Sequence, residues 1–346
     1  MAKQPTNMKS IRKPVASTYQ LTNCLTYICS IFKSIVKLIM AVITLGTMAF
    51  DAIETPFGKI DKIVGGSATY VAYSASHLTH PIQQISIVGN DFPQEEMEEL
   101  QNRNVQLTGV EIVPGQKSFF WSGKYHLDMN TRDTLVTDLN VLADFKPKVP
   151  EEYQGSEFLM LGNLMPALQI SVIEQLRTRP KLIVLDTMNF WMETALQDLK
   201  KVLGMVDVLM INDSEARQLS GEFSLVKSAK KILQMGPQFL IIKKGEHGAL
   251  LFHESYVFFA PALPLEDVFD PTGAGDAFAG GFIGHIARTR DISFENMKTA
   301  IIVGSALASF CVEKFGPQRL KEINRQDIDL RLAEFVQLVN FDIDLV

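Results

Sequence analysis

VFDPTGAGDAFAGGFIGHIA, residues 268–287, is the stretch from which the architecture can be read. Thr272, Gly273, Ala274 and Gly275 are small and stand just before an apolar periodic run that begins at Ala277, which predicts a tight turn into a helix N-terminus. Backbone N–H groups at such a terminus point outward and the helix dipole favours negative charge, so the turn is an anion site. Asp276 sits among those donors. A carboxylate there is placed to take a proton from an attacking hydroxyl while the amides hold phosphate oxygens. The same residues also read as an N-capping Asp on an ordinary glycine-rich turn.

Outward from this stretch the chain alternates apolar runs with amphipathic segments. AVITLG (41–46), QISIVG (84–89), EFLMLG (157–162), KLIVLD (181–186), VDVLMIN (206–212) and FLIIKKG (239–245) are strand-like. Helical patterns lie between them at ATYVAYSASHL (68–78), ALQISVIEQL, ALQDLKKVLG and SEARQLSG. Strands that are apolar throughout and separated by helices predict an α/β fold whose parallel sheet is covered on both faces. Residues 106–144 break the rhythm with short alternating segments and turn residues, and predict a few antiparallel strands outside the main sheet, forming a lid.

The chain has 346 residues, 47% apolar and 21% charged, which is enough for one large domain with a full core. Its net charge of -6 argues against a nucleic-acid binder that relies on a broad basic face. Three cysteines give no disulfide framework and point to a reducing, cytoplasmic setting. Residues 1–39 stand apart, with 6 basic and no acidic residues. Three readings of that leader stand open: a dispensable extension with Met40 as the biological start, a membrane-associating segment, and a targeting peptide. Lys33 and Lys37 interrupt the apolar stretch from Leu21 to Phe50, so stable membrane insertion is not expected. The folded domain is expected over 40–346.

DPTGAGDAFAGGF resembles the C-terminal signature of the PfkB, or ribokinase-like, carbohydrate kinase family. Three further elements follow in that family's order: GGSATYVA with Gly65 and Gly66, NDSEA with Asn212 and Glu215, and KKGEHG with Gly245 and Gly248. The resemblance covers about Ala41 to Gly316. It implies a three-layer sandwich with a central, mostly parallel sheet and a small β-strand lid.

It also implies roles at the matching positions. Asp276 would be the base that deprotonates the acceptor hydroxyl, with the Gly273, Ala274 and Gly275 amides as the anion hole. Thr272, Lys243, Gly245 and Gly248 would line the ATP site, although many relatives carry a small hydroxyl residue near Lys243. Asn212 and Glu215 would organise Mg2+, Glu215 through water; from the residues alone they also read as a capping box. Asp51, Gly65, Gly66 and Ser67 would contact the acceptor, Ser67 standing where many relatives have Asn. A monovalent cation such as K+ beneath the anion hole and a homodimer through the lid are further implications.

The implied activity is transfer of the γ-phosphoryl group of MgATP to a hydroxyl of a small sugar-like acceptor. The alternatives are a nucleoside kinase of the same family and a non-catalytic sugar- or nucleotide-binding relative. DTMNFWM (186–192) lacks the arginine often found after that strand, which favours a neutral acceptor over a phosphosugar. Trp191, Phe119, Phe120 and Trp121 are aromatic surfaces on which a base or sugar face would stack. No Walker or dinucleotide-binding motif occurs.

Overall fold

The computed structural model describes residues 41–340, so the expectations for the leader lie outside the described residues. The strand-like runs form strands because each sends alternate side chains into two separate cores. Val42, Met160, Val184, Met210 and Ile241 enter one, while Ile43, Leu159, Leu161, Ile183, Leu185, Leu209 and Ile242 enter the other. Each buried aliphatic side chain contributes about 1.5–3 kcal/mol, and the buried polar exceptions in the central strands include Thr44, Gln83, Gln84 and Ser86.

The first half comprises β1 (Val42–Leu45), β2 (Ala49–Thr55), β3 (Gly58–Gly65), α1 (Ser67–Ser76), β4 (Ile82–Gly89), α2 (Gln94–Asn102), β5 (Val105–Val113), β6 (Phe119–Tyr125) and β7 (Arg132–Asp138). Then follow β8 (Phe158–Leu161), α3 (Pro166–Gln175), β9 (Leu182–Asp186), α4 (Asn189–Thr194), α5 (Leu196–Leu203), β10 (Val208–Asn212), α6 (Asp213–Ser220), α7 (Leu225–Leu233) and β11 (Phe239–Lys243). The chain closes with β12 (Ala249–His253), β13 (Tyr256–Ala260), α8 (Ala274–Thr289), α9 (Phe294–Cys311), α10 (Gln318–Glu322) and α11 (Arg325–Val339).

Nine strands form one sheet in the order β13-β12-β11-β10-β9-β8-β1-β4-β5, parallel except for the antiparallel pairs made by β12 and β13. Strand order reverses between β1 and β8, and the crevice at the carboxyl ends beside such a reversal is where open α/β sheets bind ligands. On one face α8 packs closely against α1 and α9. A Cβ at Gly280 would stand 2.6 Å from the Val71 carbonyl oxygen, and one at Gly281 would stand 2.9 Å from the Gly304 Cα. These glycines fix the height at which α8 presents its N-terminus.

The lid differs from the expectation in two ways. Val105–Val113 pairs in parallel with β4 and extends the main sheet, so it is not a lid strand. The lid sheet has the order β3-β2-β6-β7, and half of it comes from residues before α1. The run AVITLGTMAF (41–50) is therefore two strands in two sheets: β1 ends at Leu45, and Ala49 starts a lid strand. Both halves are apolar, so hydropathy alone does not mark the crossing.

Candidate active site

Asp270 builds the turn before α8. Its carboxylate, fully buried, accepts hydrogen bonds from the Thr272 amide at 2.8 Å and the Gly316 amide at 2.9 Å. Gly273 then adopts φ 76°, ψ -2°, the left-handed region that glycine enters without penalty. With the reversal completed there, the helix begins at Ala274, three residues earlier than the apolar periodicity indicates. Gly275 and Asp276 consequently lie in its first turn, where the amides have no intrahelical acceptor.

Asp276 is half-buried in this turn. Burial, and then the charge of Asp186, push its carboxyl up to about 7, against the opposing charges of Lys243 and Arg132. Lys243, at the end of β11, places its ammonium 2.6 Å from Asp186 Oδ2 at the end of β9. A Cβ on Gly275 would stand 3.0 Å from Lys243 Nζ, so the ammonium lies directly against the anion turn. Burial opposes its charge, yet Asp186, Glu215 and Asp276 together hold its pKa above the ordinary range.

Asn212 and Glu215 form the capping box of α6: the Glu215 amide donates to Asn212 Oδ1 at 2.8 Å, and the Asn212 amide donates to a Glu215 carboxylate oxygen at 2.7 Å. Burial and Asp186 push the Glu215 carboxyl up to about 7. The structural alternative for this motif is thus realised, and the cap carries its carboxylate into the neighbourhood of Lys243 and Asp186. Beyond β11, Gly245 (φ 55°) and Gly248 (φ 78°) turn the chain along a cleft of about 510 Å³. Lys243, Gly245, Gly248, Ala274, Gly275 and Ser309 help to line it, and Asp128 to Asn130 of the lid hairpin close over it.

On the opposite side, Asp51 stands on lid strand β2 rather than in a loop. It is 5% exposed, and burial, then Asp270 and Asp276, push its carboxyl up to about 7, while a hydrogen bond from the Gly66 amide acts the other way. A Cβ on Gly65 would fall 1.9 Å from Asp51 Oδ2, so this glycine makes room for the carboxylate itself. Ser67 is committed elsewhere: its hydroxyl accepts from the Thr47 amide at 3.1 Å, and its amide donates to the Thr47 hydroxyl at 3.0 Å. The Thr272 hydroxyl likewise donates to the Tyr125 hydroxyl at 3.2 Å, tying the anion turn to the lid.

Three residues that motif reading passes over converge here. Asp186 pairs with Lys243. Arg132, opposite Tyr125 on the lid, acts electrostatically on Asp51, Glu215 and Asp276, and lies 5.7 Å from the Trp121 ring. Tyr70, 1% exposed, packs its ring against Gly273, where a Cβ would stand 2.4 Å away. Its hydroxyl has no hydrogen-bond partner among the described residues. Trp121 is the β6 partner of Asp51 in register, whereas Phe120 pairs with Phe50. Trp191 donates to Asn163 Oδ1 at 2.8 Å. His77 contacts the Leu320 carbonyl oxygen at 2.7 Å, a packing role.

Among the described residues no group of three His, Cys, Asp or Glu side chains forms a metal cage, and no helix is long and apolar enough to cross a membrane.

The chain is 28% identical over 255 residues to the cytidine kinase of Thermococcus kodakarensis, covering 72% of this chain and 90% of that protein. It is 24% identical over 283 residues to the nucleoside kinase of Methanothermobacter thermautotrophicus, covering 77% and 83%. The crystal structure of Methanocaldococcus jannaschii nucleoside kinase superposes with a TM-score of 0.69 at 18% identity, covering 85% of this chain and 98% of that one. A putative ribokinase II from E. coli, solved with ATP and magnesium, gives 0.70 at 18% identity, covering 85% and 99%. The fold is therefore the ribokinase fold. The model of the pfkB family carbohydrate kinases matches residues 37–324, and with the ordered motifs and the geometry of the turn this shows that the chain belongs to the pfkB family.

Proposed function

We propose that this kinase transfers the γ-phosphoryl group of ATP to a primary hydroxyl of a nucleoside, with Asp276 as the base. The acceptor oxygen bonds to the γ-phosphorus, the bond from that phosphorus to the β,γ-bridging oxygen breaks, ADP leaves, and the hydroxyl proton passes to Asp276. The carrying observation is the place of Asp276, a carboxylate in the first turn of α8 beside the cleft-lining Gly275 and the Lys243 ammonium, with burial and Asp186 pushing its carboxyl up to about 7. The Gly273 and Gly275 amides and the Lys243 ammonium would receive the phosphoryl oxygens, with the Ala274 amide, which donates to the Pro271 carbonyl oxygen at 3.2 Å, joining them by sharing its hydrogen. Gly245 and Gly248 would bring backbone close to the nucleotide, with Thr272 acting through the turn it anchors. Asp51, with Gly65 and Gly66 behind it, would accept hydrogen bonds from acceptor hydroxyls, and Ser67 would hold the loop that carries them.

A nucleoside fits better than a phosphosugar. Residues 187–192 supply no cation beside Asp186, Trp121 offers a ring next to Asp51, and two relatives are named for nucleoside substrates. Magnesium fits the oxygen donors present: Glu215, through water, would hold it beside the phosphates. When bound it supplies neutralisation of the β,γ-phosphate charge. In a cytoplasmic enzyme a second copy would dock on lid strand β7, where Leu135 and Val136 are 57% and 40% exposed.

The test is MgATP turnover against nucleosides, free sugars and phosphosugars. Turnover of nucleosides above the other two classes is expected. Turnover confined to phosphosugars overturns the acceptor assignment, and turnover of none overturns the kinase reading for these acceptor classes.

A further inference from the structure

Asp186 is the last residue of β9 and Lys243 the last of β11, with β10 between them, so their ion pair bridges over the end of the intervening strand. The Asp186 side chain is 8% exposed and that of Lys243 is 19% exposed. Removing two charges from water is costly, and a pair of this kind gives little net stability compared with an apolar pair of similar volume. Its presence at the ends of two buried strands therefore calls for a reason other than stability.

Geometry supplies one. A lysine ammonium rides on a flexible four-carbon stem and is a point charge with no fixed direction. The Asp186 carboxylate supplies that direction, with Lys243 Nζ 2.6 Å from Asp186 Oδ2 and against the backbone of Gly275. The glycine is part of the placement, because a Cβ there would meet Nζ at 3.0 Å. The two ends of the ammonium's environment are thus a carboxylate on one strand and the anion turn on a helix.

We propose that Asp186 is a positioning residue for phosphoryl transfer: its carboxylate holds the Lys243 ammonium at the N-terminus of α8, where it meets the transferring phosphoryl group. The proposal rests on the kinase reading above. Preorganised charge of this kind stabilises a transition state without reorganisation at the moment of reaction. Asp186 touches no reacting atom and acts through Lys243. It also has a second consequence. Asp276 is faced by Asp186 on β9, Lys243 on β11, Arg132 on the lid and, across the cleft, Asp51. Of these, Asp186 is the carboxylate that most raises Asp276, so its removal moves the titration of the base downward.

The experiment compares the full-length enzyme with Asp186→Asn, Asp186→Glu, Lys243→Met and the double variant Asp186→Asn/Lys243→Met. Steady-state kinetics are followed from pH 5 to 9, with thermal unfolding as the fold control. The expected result is a ten- to hundred-fold lower kcat in Asp186→Asn with the acceptor KM changed less than three-fold. Its acid limb lies at lower pH than that of wild type, and Asp186→Glu recovers part of kcat. In the Lys243→Met background the Asp186→Asn change costs less than three-fold. A folded Asp186→Asn with wild-type kcat and an unmoved acid limb overturns the proposal, as does full additivity in the double variant. Should Asp186→Asn lose the fold, Asp186→Glu and the double variant decide by the same criteria. A wild-type enzyme with no turnover refutes the kinase reading itself, a result distinct from any of these.

Discussion

Replacing Asp276 by asparagine should stabilise the protein while removing its activity. The carboxyl is pushed up to about 7 from an ordinary value of 3.8, chiefly by burial and by Asp186. A displacement of that size is worth about 4 kcal/mol at full effect. Asp276 keeps some contact with solvent, so roughly 1–2 kcal/mol is the discounted expectation. In a protein of this length that is about 1.5–3 °C in Tm. The sign follows from linkage: the folded-state pKa lies above the unfolded one, so the carboxyl's contribution to stability is present below about pH 4 and is lost as the pH rises to 7. An asparagine amide does not titrate. The Tm advantage of Asp276→Asn should therefore grow between pH 5 and 7 and level off above, as measured by scanning calorimetry without ligand. An Asp276→Asn variant less stable than wild type at pH 8, or with a difference independent of pH, would refute the account of this carboxylate.

Two further outcomes follow from the same cluster. Tyr70→Phe removes a buried hydroxyl that has no partner among the described residues, so a gain of about 1 kcal/mol in denaturant unfolding is expected; a loss would show that the hydroxyl is satisfied in solution. Arg132 lies on the exposed lid strand and lowers the pKa of Asp276, Asp51 and Glu215. Arg132→Gln should accordingly move the acid limb of kcat/KM to higher pH, and an unmoved limb would place the guanidinium elsewhere during turnover.

The parts of this site that the sequence discloses are those whose geometry is local. Gly273 to Asp276 form a turn and a helix start within four residues, and the positive φ of Gly273 together with the N-terminal amides is implicit in that spacing. Asn212 and Glu215 are three apart and cap one helix, so both their structural and their functional readings were visible. Asp186, Arg132 and Tyr70 carry no such signal. Asp186 looks like the polar end of an apolar strand, Tyr70 like one more apolar position in a helix, and Arg132 like a solvated lid charge. Their convergence depends on sheet order and on the lid folding back, which are long-range properties. The same cause explains the lid: β2 is buried along most of its length like a core strand while β3 is largely exposed, and only tertiary pairing assigns both to the lid sheet. Ser67 and Thr272 show the reverse case, motif positions whose hydroxyls the fold uses to fasten loops to Thr47 and Tyr125.

The most direct test is the kcat of Asp276→Asn beside wild type, with MgATP and the acceptor that wild type uses best. The account predicts a fall of about 10²–10⁴-fold, the range for loss of a general base, with the folded state retained. Turnover by Asp276→Asn at the wild-type rate would contradict it, because no other carboxylate shares the first turn of α8 with the anion-binding amides.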